Sequence, residues 1–418
     1  MASRPAHEAS TSGARAAPAS LPAQPAQIIR SESEALEIAN QLSSEIAIEA
    51  QQRDRDRILP WQEVDALSQS GLWGITVPRE YGGAGVSTGT LTQVVALIAE
   101  ADGSVGQIPQ NHYYALEVLR VGGSSAQKAF FYERVLRGER LGNALAEIGH
   151  RDFKRRTQLL RESGGWVVNG AKFYCTGAIY AHWIPTLVTA HEDEGERQYL
   201  AFVPRSAAGV IITDDWDGFG QRVTGSGSVQ FDRVRVEPEW VVPFTASFEQ
   251  PTTIGPFAQI IHAALDLGIG WGALQATLPF IREHARPWVD AAVESATQDP
   301  LLLAQIGNVH VRLCAAQALL ARAALAVDAA QLQPDEDSVA AASIAVAQAK
   351  ALSTSASLLA GSKLFELSGT GATLDGLGLD RFWRNARTHT LHDPVRWKYH
   401  AVGNYVLNGV RPPRHGAL

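Results

Sequence analysis

The sequence predicts an α+β, mostly α chain: helices first, a block of short strands, then a bundle of about four long helices. Three observations predict it. Apolar residues recur at near-3.6 spacing up to about residue 136. Short alternating runs separated by turn residues fill 138–242. Long Ala-rich amphipathic segments follow Pro251. A length of 418 residues suits about two or three domains. The divisions fall at 1–27 (a tail), 28–137 (helical), 138–245 (β) and 246–418 (bundle).

Each element has its own signal. Leu36, Ile38, Ala39, Leu42, Ile46 and Ala50 place a helix over 31–55, and a second covers 61–70. Gly and Pro punctuate 71–88, so that stretch is loop or turn. Helical patterns resume at 90–100, 112–121 and 124–136. The runs 164–175, 199–205, 209–216 and 227–236 read as antiparallel strands of a small sandwich or barrel. Asn169-Gly170, flanked by apolar residues, carries the signal of a hairpin turn. Helices then cover 253–285, 300–331, 337–369 and 393–408, with Pro334 and an acidic run marking one break. Asp393 followed by Pro394 predicts a capped helix start.

Composition narrows the function. Lys+Arg is 36 and Asp+Glu is 43, a formal net charge of −7, so no broad basic field points to nucleic acid or an anionic membrane. With two cysteines, Cys175 and Cys314, and no Cys-x-x-Cys pair, a disulfide scaffold or Cys-based zinc site is excluded, and no metal site is read. No run approaches ~18 consecutive apolar residues. The first 27 residues, rich in Ala, Ser and Pro, have no apolar signal region. Arg4 and Arg15 faintly suggest a transit peptide, but the composition favours a disordered tail on a cytoplasmic protein.

Five places could carry chemistry. His392 sits just before the predicted helix start, where a neutral imidazole could hydrogen-bond a peroxide or oxyanion. His112, with Asn111 as a cap, opens a helix and could face the same ligand. Thr176, followed by Gly177, presents a hydroxyl at a strand end. The Gly-rich 367–376, holding Gly369 and Gly371 near Arg381, Arg384 and Arg387, could approach a phosphate. Trp216, ahead of the Gly-alternating Ser226 and Ser228, could stack on an aromatic ring. Each has a bland alternative: a packed histidine, an ordinary turn, a solvated basic face or a hairpin. No GxSxG, HExxH, Walker loop or well-placed GxGxxG occurs.

Taken in order, these features resemble the acyl-CoA dehydrogenase superfamily over about residues 30–410. GITVPREYGGAG (74–85) is similar to its N-terminal signature, and KFYCTGA (172–178) to its flavin-facing strand. The resemblance implies a helical N-terminal domain, a central antiparallel β-barrel and a C-terminal four-helix bundle. The departures are informative. A dehydrogenase needs a Glu base; residues 389–394 hold none, and 257–274 offers His262 and Asp266 instead. The acidic flavin and CoA loop is reduced to residues 146–152, the Arg-x-x-Phe-Gly element to Arg286-Pro287-Trp288, and the Gln-x-x-Gly-Gly-x-Gly element to residues 365–371. These losses fall on the base and on the adenosine half of FAD, which favours FMN.

RFWRNARTHTLHDPV (381–395) resembles the signature of one branch, the two-component reduced-flavin monooxygenases similar to dibenzothiophene monooxygenase and the sulfur-acquisition oxidoreductases. That implies FMNH2 made by a separate NAD(P)H:flavin reductase. It also implies a C4a-hydroperoxyflavin that oxygenates a small organosulfur compound, and a homotetramer. His392 and His112 would lie by the flavin C4a, with Thr176 and Asn143 nearby, and Trp216, Ser228, Arg286, Gly369, Gly371 and Arg387 would hold the cofactor. Trp183, Phe257 and Trp271 are candidate walls. The competing readings are an FAD-dependent acyl-CoA dehydrogenase with a displaced base, an N-hydroxylating monooxygenase, and a flavin-free helper.

Overall fold

A computed structural model describes residues 25–149, 154–163, 165–193 and 195–418. Apart from residues 25–27, the expected tail lies outside them. Those three are tied in: Gln27 N donates to Gln69 O, and Ala26 is buried.

The N-terminal part holds α1 (Glu32–Asp56), α2 (Trp61–Gln69), α3 (Thr88–Ala101), α4 (Gly103–Gln107), α5 (Gln110–Gly122) and α6 (Ser125–Leu136). Local chemistry sets several starts. Ser31 caps α1, Ser87 caps α3, and Ser124 with Gln127 closes a capping box on α6. The expected cap on α5 is absent. That helix starts after Pro109 without a side-chain cap, and Asn111 instead donates to Gly142 O at 2.6 Å.

One sheet follows: β1 (Gln158–Glu162), β2 (Gly165–Lys172), β3 (Trp183–Glu192), β4 (Gly195–Pro204), β5 (Val210–Thr213), β6 (Ser228–Val236) and β7 (Val241–Pro243). Its order is β5-β6-β2-β1-β3-β4-β7. Two expectations change here. The sheet is mixed, because β1 pairs parallel to β3, and no hydrogen-bonded pair closes β5 onto β7. It still curls: Val203 of β4 and Val229 of β6, at separate places in that order, share one apolar core. Asn169-Gly170 is not a hairpin turn. β2 runs straight through it with a bulge, because β1 pairs on one side and β6 on the other. Gly170 has φ +145°, and a Cβ there would meet Thr157 Cα at 2.7 Å.

The bundle comprises α7 (Ile254–His284), α8 (Pro300–Leu332) and α9 (Glu336–Ser368), joined by α10 (Asp380–His389) and α11 (Arg396–Asn408). Asp299 caps α8 and Asp335 caps α9. Asp393 caps nothing: α11 starts after Val395, two residues later, and the Asp393 carboxylate turns to His392. α7 and α8 are long and apolar enough to cross a membrane by length and composition alone, which no consecutive apolar run in the sequence signals. The apolar window of α7 is 94% buried in the core, whereas that of α8 is only 39% buried. Both cysteines are free, Cys175 buried and Cys314 exposed.

Candidate functional site

A cavity of about 950 Å3 opens where α5, β3, α7 and α11 meet. Asn111 and Tyr114 reach it from α5, Gln259 and His262 from α7, and Trp397 and His400 from α11. Asn143 and Leu145 enter from the segment ahead of β1, and His392 from the connection between α10 and α11. The segment after α11 forms one wall, from Val410 to Leu418. Arg411 pairs with Asp337 and Arg414 with Glu336, while Gln259 Nε2 and Lys398 Nζ donate to the carbonyls of Gly416 and Ala417. Among the described residues the lining holds four histidines (His262, His392, His400 and His415) and no Asp or Glu. A large, mainly apolar cavity with a few converging polar groups is the usual form of a small-molecule site.

The histidines rest on a buried polar network. His392 Nδ1 lies 3.0 Å from Asp393 Oδ2, and its ring sits 4.0 Å from the His262 ring, tilted by 35°. His262 Nδ1 is 3.0 Å from His389 Nε2, and His389 Nδ1 is 2.5 Å from Asp266 Oδ1. Asp266 Oδ2 accepts from Lys350 Nζ at 2.6 Å and Thr354 Oγ1 at 2.7 Å. Burial opposes the charge on Asp266, but Lys350 and His389 outweigh it and hold the carboxyl at about 2. Burial likewise opposes ionisation of Asp393, yet the hydrogen bond from His392 keeps it below the usual carboxylate range. Burial first, and then His392 and His389, push the His262 imidazole well below its ordinary value. Donor atoms of His262, His392 and Asp393 lie within 4.8 Å of one another. Both Nδ1 atoms are hydrogen-bonded, His262 to His389 and His392 to Asp393, which fixes the two ring orientations.

Only some of the residues singled out in the sequence meet here. His392 and Asn143 line the cavity. Asn143 Nδ2 also donates to Tyr174 O, and the Tyr174 ring stands edge-on to Trp216 at 6.0 Å, but neither ring is among the residues that line the cavity. Thr176 is nearly buried and shares a hydroxyl chain with Ser226 (2.7 Å) and Thr224 (2.6 Å). His112 is excluded. It is fully buried, its Nε2 bonds Trp73 O at 2.7 Å, and its Nδ1 accepts from Leu141 N at 3.0 Å. Burial drives its pKa down to about 3, so it is a neutral structural histidine. Ser228 is also withdrawn, since its amide and hydroxyl both donate to the Asp215 carboxylate.

Arg286, Gly369 and Gly371 lie at the far end of the bundle. α7 rises ~1.5 Å per residue, so its end is roughly 33 Å from His262. Gly371 is near Phe280, close to that end. A second, smaller cavity of about 340 Å3 lies there, lined by Phe365, Thr373, Leu374 and Asp380. Of the arginines, Arg384 is saturated by Asp54, Asp380 and Phe219 O, and Arg381 is bonded to Gly378 O over the Phe382 ring. Arg387 keeps a buried Nε without a partner. Trp183, Phe257 and Trp271 pack elsewhere: Trp183 among Phe130, Phe131 and Trp240, Phe257 in the core, and Trp271 against His310. The 146–152 loop is described only up to residue 149.

Sequence spacing could have exposed part of the network. His262 and Asp266 are one helical turn apart, and His389 and His392 are three residues apart. Nothing local marks Lys350 or the 410–418 wall, which are brought in from other elements.

Three family models match the chain: acyl-CoA dehydrogenase N-terminal domain over residues 35–139, middle domain over 149–234 and C-terminal domain over 260–397. Dibenzothiophene monooxygenase of Rhodococcus erythropolis is 36% identical over 392 residues, covering 90% of this chain and 93% of that protein. A probable FMNH2-dependent monooxygenase, SfnC of Pseudomonas putida, is 33% identical, covering 90% of this chain and 96% of its own length. The crystal structure of TdsC from Paenibacillus sp. A11-2 with FMN and indole superposes with a TM-score of 0.88 at 33% identity, covering 92% of this chain and 99% of that one.

Proposed function

The chain belongs to the acyl-CoA dehydrogenase family, and we propose that within it the protein is the oxygenase of a two-component, FMNH2-dependent system acting on a small organosulfur compound. One observation carries this reading: among the described residues the cavity is lined by imidazoles and by no Asp or Glu side chain. A dehydrogenase acting on a thioester needs such a base, whereas oxygen transfer needs a dry cavity with hydrogen-bond donors. The cavity suits a flavin ring. Its walls are mainly apolar and include the rings of Tyr114, Phe244 and Trp397, and the Asn111 and Asn143 side chains also line it.

FMNH2, when bound, would supply the two electrons by which O2 gives one oxygen atom to the substrate sulfur and the other to water. The protein's residues do the rest. His392, oriented by Asp393, offers Nε2 to the reacting oxygen as a hydrogen-bond partner. Tyr114, Leu145 and Trp397 give the cavity apolar surface against which the substrate packs. The reading includes a separate flavin reductase, a substrate such as a thiophene, sulfoxide or sulfone in sulfur metabolism, and a cytoplasmic location. A homotetramer completes it: a second copy could bring Arg286, Gly369 and Gly371 to a cofactor they cannot reach within one chain, and the exposed apolar face of α8 supports such a contact.

The test is anaerobic mixing of protein and FMNH2 with oxygenated buffer. Slow return of oxidised-flavin absorbance, with substrate oxygenated in place of H2O2 released, is the expected result. Immediate reoxidation, together with reduction of bound FAD by an acyl-CoA, would put the dehydrogenase in its place.

A further inference from the structure

Proton positions along the buried network follow from its geometry. Asp266 is ionised, held by Lys350 and Thr354, so its Oδ1 can only accept. His389 must therefore carry its proton on Nδ1, facing that oxygen. Burial keeps His389 neutral, although Asp266 opposes the shift. Its Nε2 is then a bare lone pair, and the His262 Nδ1 facing it at 3.0 Å must be the donor. A neutral His262 with its proton on Nδ1 leaves Nε2 bare, and His262 lines the cavity.

We propose that Asp266, His389 and His262 form a proton relay that opens on the cavity at His262 Nε2. His262 is the catalytic member, and His389 and Asp266 are positioning residues. A proton taken up at His262 Nε2 pushes the Nδ1 proton across to His389 Nε2. One proton enters, no electrons move, and the positive charge comes to rest on His389 beside the Asp266 carboxylate. The reverse transfer returns that proton to a hydroxyl group as its C–O bond breaks, so that the group leaves as water with the bonding pair and the relay is neutral again. The chain gives the charge a better resting place than His262, whose ring lies 4.0 Å from His392, where a second positive charge would be repelled. The charged and titratable groups facing the relay are Lys350 on α9, Lys398 on α11, and His392 with Asp393 in the connection after α10. Lys398 Nζ is held by Gln259 Oε1 and Ala417 O. The relay's use in oxygen transfer rests on the monooxygenase reading; its existence does not.

Neutron diffraction from crystals of the whole protein near neutral pD tests the relay. Deuterons on His389 Nδ1 and His262 Nδ1, with none on His262 Nε2, are expected. A deuteron on His262 Nε2 with Nδ1 bare would overturn it. His389→Phe keeps the ring volume and cuts the chain. It should leave FMNH2 affinity within about twofold, lower oxygenated product per FMNH2 by about 10²-fold, and move the pH profile of that yield. An unchanged yield and profile in a variant that still binds FMNH2 would also sink the proposal. If the unsubstituted protein oxygenates nothing, the monooxygenase reading fails, and the deuteron positions still decide the relay.

Discussion

His112 and His392 look alike in the sequence, each at the start of a helical pattern, and the fold separates them completely. One is locked between Trp73 O and Leu141 N, and the other is half-exposed on the cavity wall. His392→Phe should therefore lower oxygenated product per FMNH2 by about 10²-fold while leaving FMNH2 binding nearly intact, as read by product assay and fluorescence titration. His112 governs acid stability instead. Its folded pKa is depressed to about 3 against an ordinary 6.5, so between those values the unfolded chain holds a proton that the folded chain refuses. Stability is then lost as pH falls below 6.5, at about 1.4 kcal/mol per pH unit from this group alone. The depressed His262 and His389 add loss of the same sign. Urea unfolding at pH 7, 6 and 5 should show the slope. His112→Gln should be less stable at pH 7 but flatter by about one proton; an unchanged slope would mean that His112 titrates normally.

Among the elements, α7 has the largest part. Apart from Gln259, His262 and Asp266 it is mostly apolar, and it is buried along most of its length, as expected of a central bundle helix. Its glycines allow close crossings. A Cβ at Gly268 would meet Ala96 O at 2.3 Å, and one at Gly272 would meet Glu100 O at 2.4 Å. These contacts set α3 against α7, and so set the N-terminal helices over the cavity. Gly268→Ala should destabilise by about 1–3 kcal/mol through overpacking, even though Ala favours a helix by about 1 kcal/mol. Chemical denaturation reads this, and a more stable variant would show that the crossing yields. The same helix carries His262 and Asp266 on one face, which is why the site's polar network runs into the bundle rather than into the sheet.

At the scale of the whole molecule, α8 is the anomaly. Leu301, Val311, Leu325 and Leu332 stand at least 66% exposed on a helix of 33 residues. Large apolar side chains left exposed along one helix point to an interaction surface. Leu325→Glu with Leu332→Glu should lower the mass seen by sedimentation velocity and weaken cofactor binding together. Loss of mass with cofactor affinity unchanged would show that each chain holds its cofactor alone.

The sequence by itself determined the order of elements and the family. Periodicity places α1, α2, α7, α8 and α9 within a residue or two, because hydrophobic spacing and capping residues act locally. The HTLHDP stretch carries the branch resemblance and His392 with it. Only the tertiary structure decided what those residues face. Asn169-Gly170 became a bulge because strands flank it on both sides, and Asp393 turned from the helix end to His392. His112 lost its role to the backbone groups around it, whereas His262 gained one through His389, a residue 127 positions away. Lone-pair direction and burial depend on partners distant in the chain, and local sequence does not encode such contacts.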